Sequence, residues 1–226
     1  MTLSIPYTSL EVRWFFPGSI KNQPELINWF ERESPLPSAK DLASPTWRSR
    51  QNDEPDRYLL LPGKDDMGIK WREGSFQVKG LVSRLGVQRF AGRHTGLVEH
   101  WIKWSYAGLP EAYAELFDGQ HPDLRTVAVH KIRALRRIRL DSFSGKMVEV
   151  SEEEELDRGV GVELTDLTVE GWGSFYSLAF EAFPVDAGLP AAFTRAVEIF
   201  LDSLPVTLEA TNSRSYPAWL HEVIGS

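Results

Sequence analysis

Residues 129–140 read Val-His-Lys-Ile-Arg-Ala-Leu-Arg-Arg-Ile-Arg-Leu, and the reading of this stretch decides the fold. Successive side chains of a β-strand point to opposite faces, so residues two apart share an environment. Lys131, Arg133, Arg137 and Arg139 then lie on one face with Leu135. Ile132, Ala134, Ile138 and Leu140 lie on the other, with His130 and Arg136. Four like charges along one strand face repel unless acids across the sheet, or a bound anion, meet them.

The same alternation recurs elsewhere. Lys70 and Arg72 flank Trp71, and Gln77 and Lys79 oppose Phe76 and Val78. In 97–106, Glu99, Trp101, Lys103 and Ser105 oppose His100, Ile102, Trp104 and Tyr106. In 9–16, Glu11, Arg13 and Phe15 oppose Val12, Trp14 and Phe16. Such faces can be the solvated side of half-buried antiparallel strands. An ordinary surface mixes signs, however, whereas these faces repeat cations with few acids between them.

If the sheet closes with this face inward, Arg13, Lys70, Arg72, Lys79, Lys103, Lys131, Arg133, Arg137 and Arg139 converge on an anionic ligand. Guanidinium forks and ammonium point charges both suit phosphate oxygens, which makes a polyphosphate or an organic triphosphate the expected partner. Glu11, Glu99, Glu163 and Glu181 share the inner face. They either counterbalance the cations or hold Mg²⁺ or Mn²⁺ through oxygen ligands. Trp101, between Glu99 and Lys103, is a candidate stacking surface for a base or sugar.

The rest of the chain fits one α+β domain over residues 1–226, a mostly antiparallel, tunnel-like β-barrel flanked by a few helices. Strand-like runs occupy 46–50, 56–62, 67–73, 76–84, 86–91, 97–106, 124–142, 143–149, 160–169 and 173–183, divided by Gly, Pro and Asp turns. Helices are expected at 24–33, at 109–117 and, from the i, i+3, i+4, i+7 spacing of Phe193, Ala196, Val197 and Phe200, at 190–204. A last strand at 206–210 and a terminal helix at 217–224 complete a helical C-terminal segment, 190–226, packed on the barrel.

Composition bounds the function. With 25 Lys and Arg against 32 Asp and Glu, the net charge of −7 argues against bulk nucleic-acid binding, so any anion site is local. No cysteine is present, which excludes disulfides and thiolate metal sites and fits a reducing compartment. The first residues carry no basic and apolar leader pattern, and no run of about 18 apolar residues occurs, so a cytoplasmic protein without a membrane partner is expected. Five scattered histidines, with no nucleophile elbow or P-loop pattern, give no support to a zinc site, a serine hydrolase or P-loop chemistry. The acids 152–155 read as a solvated loop.

Several segments resemble the CYTH-like superfamily of triphosphate tunnel metalloenzymes. Glu11-Val12-Arg13 stands where that family has its glutamate-rich first strand. Asp56-Arg57-Tyr58-Leu59 and Gly68-Ile69-Lys70-Trp71-Arg72-Glu73 are similar to its tyrosine-containing strand and its basic strand, and Gln77-Val78-Lys79 to the strand that follows. Glu163-Leu164-Thr165-Asp166 and residues 173–181 resemble its closing acidic strands. The resemblance implies phosphate binding by the basic positions, and a divalent-metal-dependent phosphohydrolase activity with ligation by the glutamates. The family's Glu-x-Glu-x-Lys is here Glu11-Val12-Arg13-Trp14-Phe15, so a cation replaces one expected metal ligand. The competing reading is a non-enzymatic barrel whose internal charges pair with one another and whose function is a protein contact. The residues leave the substrate, the reaction and the oligomeric state open.

Overall fold

The computed structural model describes residues 2–3, 6–32, 34–39, 42–49, 54–72, 74–107, 115–117, 124–141 and 144–225. In chain order the strands are β1 (Thr2–Leu3), β2 (Tyr7–Pro17), β3 (Asp56–Leu60), β4 (Met67–Arg72), β5 (Ser75–Phe90), β6 (His94–Ala107), β7 (Arg125–Leu140), β8 (Met147–Val150), β9 (Gly159–Val169) and β10 (Gly173–Phe183). The helices are α1 (Pro24–Glu31), α2 (Leu189–Leu201) and α3 (Tyr216–Gly225). All strand pairings are antiparallel, in the order β6-β2-β10-β9-β7-β3-β4-β5, and β5 pairs back onto β6. Eight strands therefore close into a barrel. β1 adds to β6 outside this ring, and β8 adds to β7.

The larger apolar core lies outside the barrel. Leu10, Val12 and Trp14 of β2, Ala134 and Ile138 of β7, and Leu178 and Phe180 of β10 pack beneath Leu26, Trp29 and Phe30 of α1 and Phe193, Val197 and Phe200 of α2. Helices covering the outer face let the inner face stay polar. A second cluster fills one end of the barrel. There Phe15, Tyr58, Leu60, Val127, Val129, Leu167 and Val169 surround Trp219, Leu220 and Ile224 of α3. Trp219 stacks on Phe15 with ring centroids 4.2 Å apart, so α3 stops that end.

Closure demands close approaches. A Cβ on Gly96 of β6 would fall 2.6 Å from Val12 Cγ2 and against the indole of Trp14, so this crossing tolerates only hydrogen. The two runs expected at 76–84 and 86–91 are one strand, β5. Its register against β6 shifts between Leu81 and Ser83 and between Arg84 and Gly86, with Gly86 at φ 89°. Such bulges bend a strand without ending its pairing.

Two other expectations are corrected. Residues 46–49 form no strand, and Arg48 alone bridges Arg133. Residues 206–210 run irregularly after Pro205, with the Leu208 N–H donating to His94 Nδ1. The helix expected at 109–117 lies outside the described residues except for 115–117, a 3-10 turn that buries Phe117. The terminal helix begins at Tyr216 and packs inside the end of the barrel.

Candidate functional site

Alternation places the odd-numbered residues of β2, β6, β7, β9 and β10, and the even-numbered ones of β3 and β4, toward the barrel axis. Above the level stopped by α3 these residues enclose a cavity of about 220 Å³. Seven expected cations line it: Arg13, Lys70, Arg72, Lys79, Lys103, Lys131 and Arg133. Asp56, Glu163 and Glu181 are the acids in the same wall, with Tyr58, Gln77, Tyr216 and Pro217. A smaller recess of about 60 Å³ shares Arg13, Lys79, Tyr216 and Pro217 and adds Glu11, Glu99 and Trp101.

Arg137 and Arg139 are not in that wall. β7 is 16 residues long, about 50 Å at 3.3 Å per residue, so its far end runs past the cavity. There Arg137 donates to the Glu154 carbonyl at 2.6 Å, and Arg139 pairs with the Glu154 carboxylate at 2.8 Å. Arg48 ties down Glu152 and Glu153, so the acidic run is a loop bound to nearby arginines.

Within the cavity the charges fall into linked groups. Asp56, fully buried, accepts from Lys70 and Lys131, each at 3.2 Å, and from the Tyr58 hydroxyl at 3.3 Å. Lys131 also donates to the Tyr58 hydroxyl at 2.7 Å and lies 4.0 Å from the centre of the Tyr216 ring. Burial, outweighing the attraction of Asp56 and Glu163, pushes Lys131 down to about 8. Arg13 donates to Glu163 and to Ser177, both at 3.0 Å. The second Glu163 oxygen meets Arg133 at 3.4 Å, and Thr165 donates to the first at 2.9 Å. Burial would raise Glu163, but Arg13, Arg133 and Lys131 together hold its carboxyl well below the usual range.

The glutamates stand in a row. Glu11 of β2 is directly opposite Glu99 of β6 on one side and Glu181 of β10 on the other. Glu11 pairs with Lys79 and accepts from Ser9 at 2.6 Å. Burial would raise its carboxyl, and Lys79 brings it below the ordinary value. Glu181 is raised, by burial first and by the Glu11 charge second. Glu99 belongs to the smaller recess, where it accepts from Arg84 at 3.2 Å and from the Trp101 indole at 3.3 Å. Among the described residues no three His, Asp or Glu side chains are grouped so as to hold a metal ion. The donor set thus does not fit the divalent site that the family resemblance implies.

Trp101 is buried, and the Lys79 ammonium lies 5.5 Å from its ring centre, so the expected stacking face is already covered. Asp56 and Tyr216 were missed as site residues. Asp56 shares strand parity with Tyr58 and Leu60, which is a usable signal once the strand is known to be inward. No pattern in 216–225 announces a helix that enters a barrel.

No family model matches the chain, and no curated protein matches it. Among solved structures, a conserved hypothetical protein from Pyrococcus furiosus aligns with 92% of this chain and 98% of its own, at 11% identity and a TM-score of 0.37. A protein from Pyrococcus horikoshii OT3 aligns over 95% and 98%, at 15% identity and a TM-score of 0.42. Among the described residues no helix is long and apolar enough to cross a membrane.

Proposed function

We propose that the barrel interior binds a compact polyanion of the phosphate class, a polyphosphate or the phosphate chain of an organic triphosphate. The observation that carries this reading is the charge of the cavity wall, seven cations facing three carboxylates. With the adjoining recess included, the described lining residues are eight cations and five carboxylates, an excess of three positive charges even with every one of these acids ionised. Lys103 carries the excess most plainly. Its ammonium sits 5.2 Å from the Tyr7 ring and directly opposite Lys79, with no ion pair among the described residues. Like charges opposed across a sheet are unfavourable unless something intervenes. A phosphate chain entering the cavity would meet donors at several oxygens in a medium that screens poorly. Hydrolysis of the bound chain is a further step for which the wall offers no assembled metal site.

The competing reading, a self-paired interior in a protein-interaction module, is favoured by the Arg13–Glu163, Lys79–Glu11 and Lys70–Asp56–Lys131 pairs. Titration calorimetry with tripolyphosphate separates the two. Binding that weakens with salt, and that Lys103→Ala weakens about fivefold to tenfold, supports the anion site. Absence of binding at millimolar ligand favours the self-paired barrel.

A further inference from the structure

We infer that this anion site works without a divalent ion, the Arg13 guanidinium and its cationic neighbours supplying the positive charge that a metal would bring. The inference rests on the anion-binding reading above and concerns how that site holds its ligand.

The argument begins with the oxygens a metal would need. Mg²⁺ demands about six oxygen ligands in near-octahedral geometry and commonly takes one or two from carboxylates, the rest from water and phosphate. Both Glu163 oxygens are engaged, one by Arg13 and Thr165 and the other by Arg133. Both Glu99 oxygens are engaged by Arg84 and Trp101. Glu11 is held by Ser9 and Lys79 at one and the same oxygen. That leaves the second Glu11 oxygen and Glu181, which stand directly opposite one another and have no hydrogen bond among the described residues, and no third Asp, Glu or His groups with them to hold a metal ion.

Electrostatics point the same way. An ion next to Glu181 would sit among Lys79, Lys103 and Arg13, all close enough to act on that carboxyl. In an interior that screens poorly, each of these cations repels a dication twice as strongly as it would a single positive charge. A wall already positive by three gains nothing from two more charges, whereas a tripolyphosphate neutralises it. Arg13 is also built in: Glu163 and Ser177 fix its guanidinium while its side chain still faces the cavity.

The test is calorimetry of tripolyphosphate with the full chain, in EDTA and in millimolar Mg²⁺, with free Mn²⁺ followed by electron paramagnetic resonance in parallel. The expected result is binding in EDTA at least as tight as in Mg²⁺, since the ion competes for the phosphate oxygens. Free Mn²⁺ should be undiminished by the protein. Arg13→Gln should weaken binding in EDTA about tenfold, the scale of one lost charge-assisted contact. Glu181→Gln, which removes a negative charge and is sterically neutral, should tighten it. Binding that needs Mg²⁺ or Mn²⁺, or that Glu181→Gln abolishes, overturns the inference and leaves the anion site standing. Failure to bind in either condition overturns the functional reading itself.

Discussion

Lys131 sets the most demanding test of this interior. Its ammonium is nearly buried between Asp56, Tyr58 and the Tyr216 ring, and burial pushes it from 10.5 down to about 8. The gap converts, at about 1.4 kcal/mol per pKa unit, to about 3 kcal/mol held against the folded state while Lys131 is charged. The sign follows from proton counting. Between about pH 8 and 10.5 the unfolded chain binds the proton and the folded one does not, so stability rises with pH across that window. Below about pH 8 both states are protonated and the cost is carried in full.

The perturbation is Lys131→Met, which keeps the length of the side chain and removes the titration. Urea unfolding of both proteins between about pH 7 and 9.5 gives the stability difference at each pH. By about pH 9.5 the wild type should have gained about 2 kcal/mol on the variant, the share of the full figure released one unit short of the unfolded pKa. Tyr7 and Tyr216, whose phenols burial holds above their ordinary value, are common to both proteins and stay neutral over this range. A difference constant to within a few tenths of a kcal/mol would show that Lys131 keeps its ordinary pKa, and the account of a tightly enclosed Asp56–Lys131 pair would fall.

Two further outcomes follow from the geometry. Glu163 is held below its ordinary value, so its contribution is present above the unfolded pKa of about 4.5 and is lost as pH falls below it; wild-type stability should drop between about pH 5 and 3, and Glu163→Gln should show a shallower fall in the same urea series. Gly96→Ala should lower stability by about 1–3 kcal/mol, because its Cβ meets Val12 and Trp14 in the packed outer core; an unchanged melting temperature would mean that β2 and β6 approach less closely than described.

Much of the fold was legible in the chain. The alternation in 129–140, 97–106 and 9–16 fixed strands and their two faces, because a period of two is a local property of extended backbone. The spacing of Phe193, Ala196, Val197 and Phe200 likewise gave α2 to within a few residues. Legibility failed where non-local contacts decide. At 206–210 the partner is the start of β6, whose His94 and Thr95 hold the segment without a ladder. At 76–91 the bulges of β5 keep one strand where two were read, since pairing with β6 continues through them.

The candidate site divides along the same line. By itself the sequence determined that cations repeat on one face of several strands, and it named seven of the cavity's cations together with Glu163 and Glu181. An inward polar face and a solvated one have the same alternation, so only the return of β5 onto β6 decided that this face is inside. Only the tertiary structure, too, left Arg137 and Arg139 beyond the cavity, brought Asp56 between two lysines and set α3 into one end. Those outcomes depend on strand length, stagger and the docking of a distant helix. Such quantities are fixed by packing across the whole barrel, and no local stretch of residues carries them.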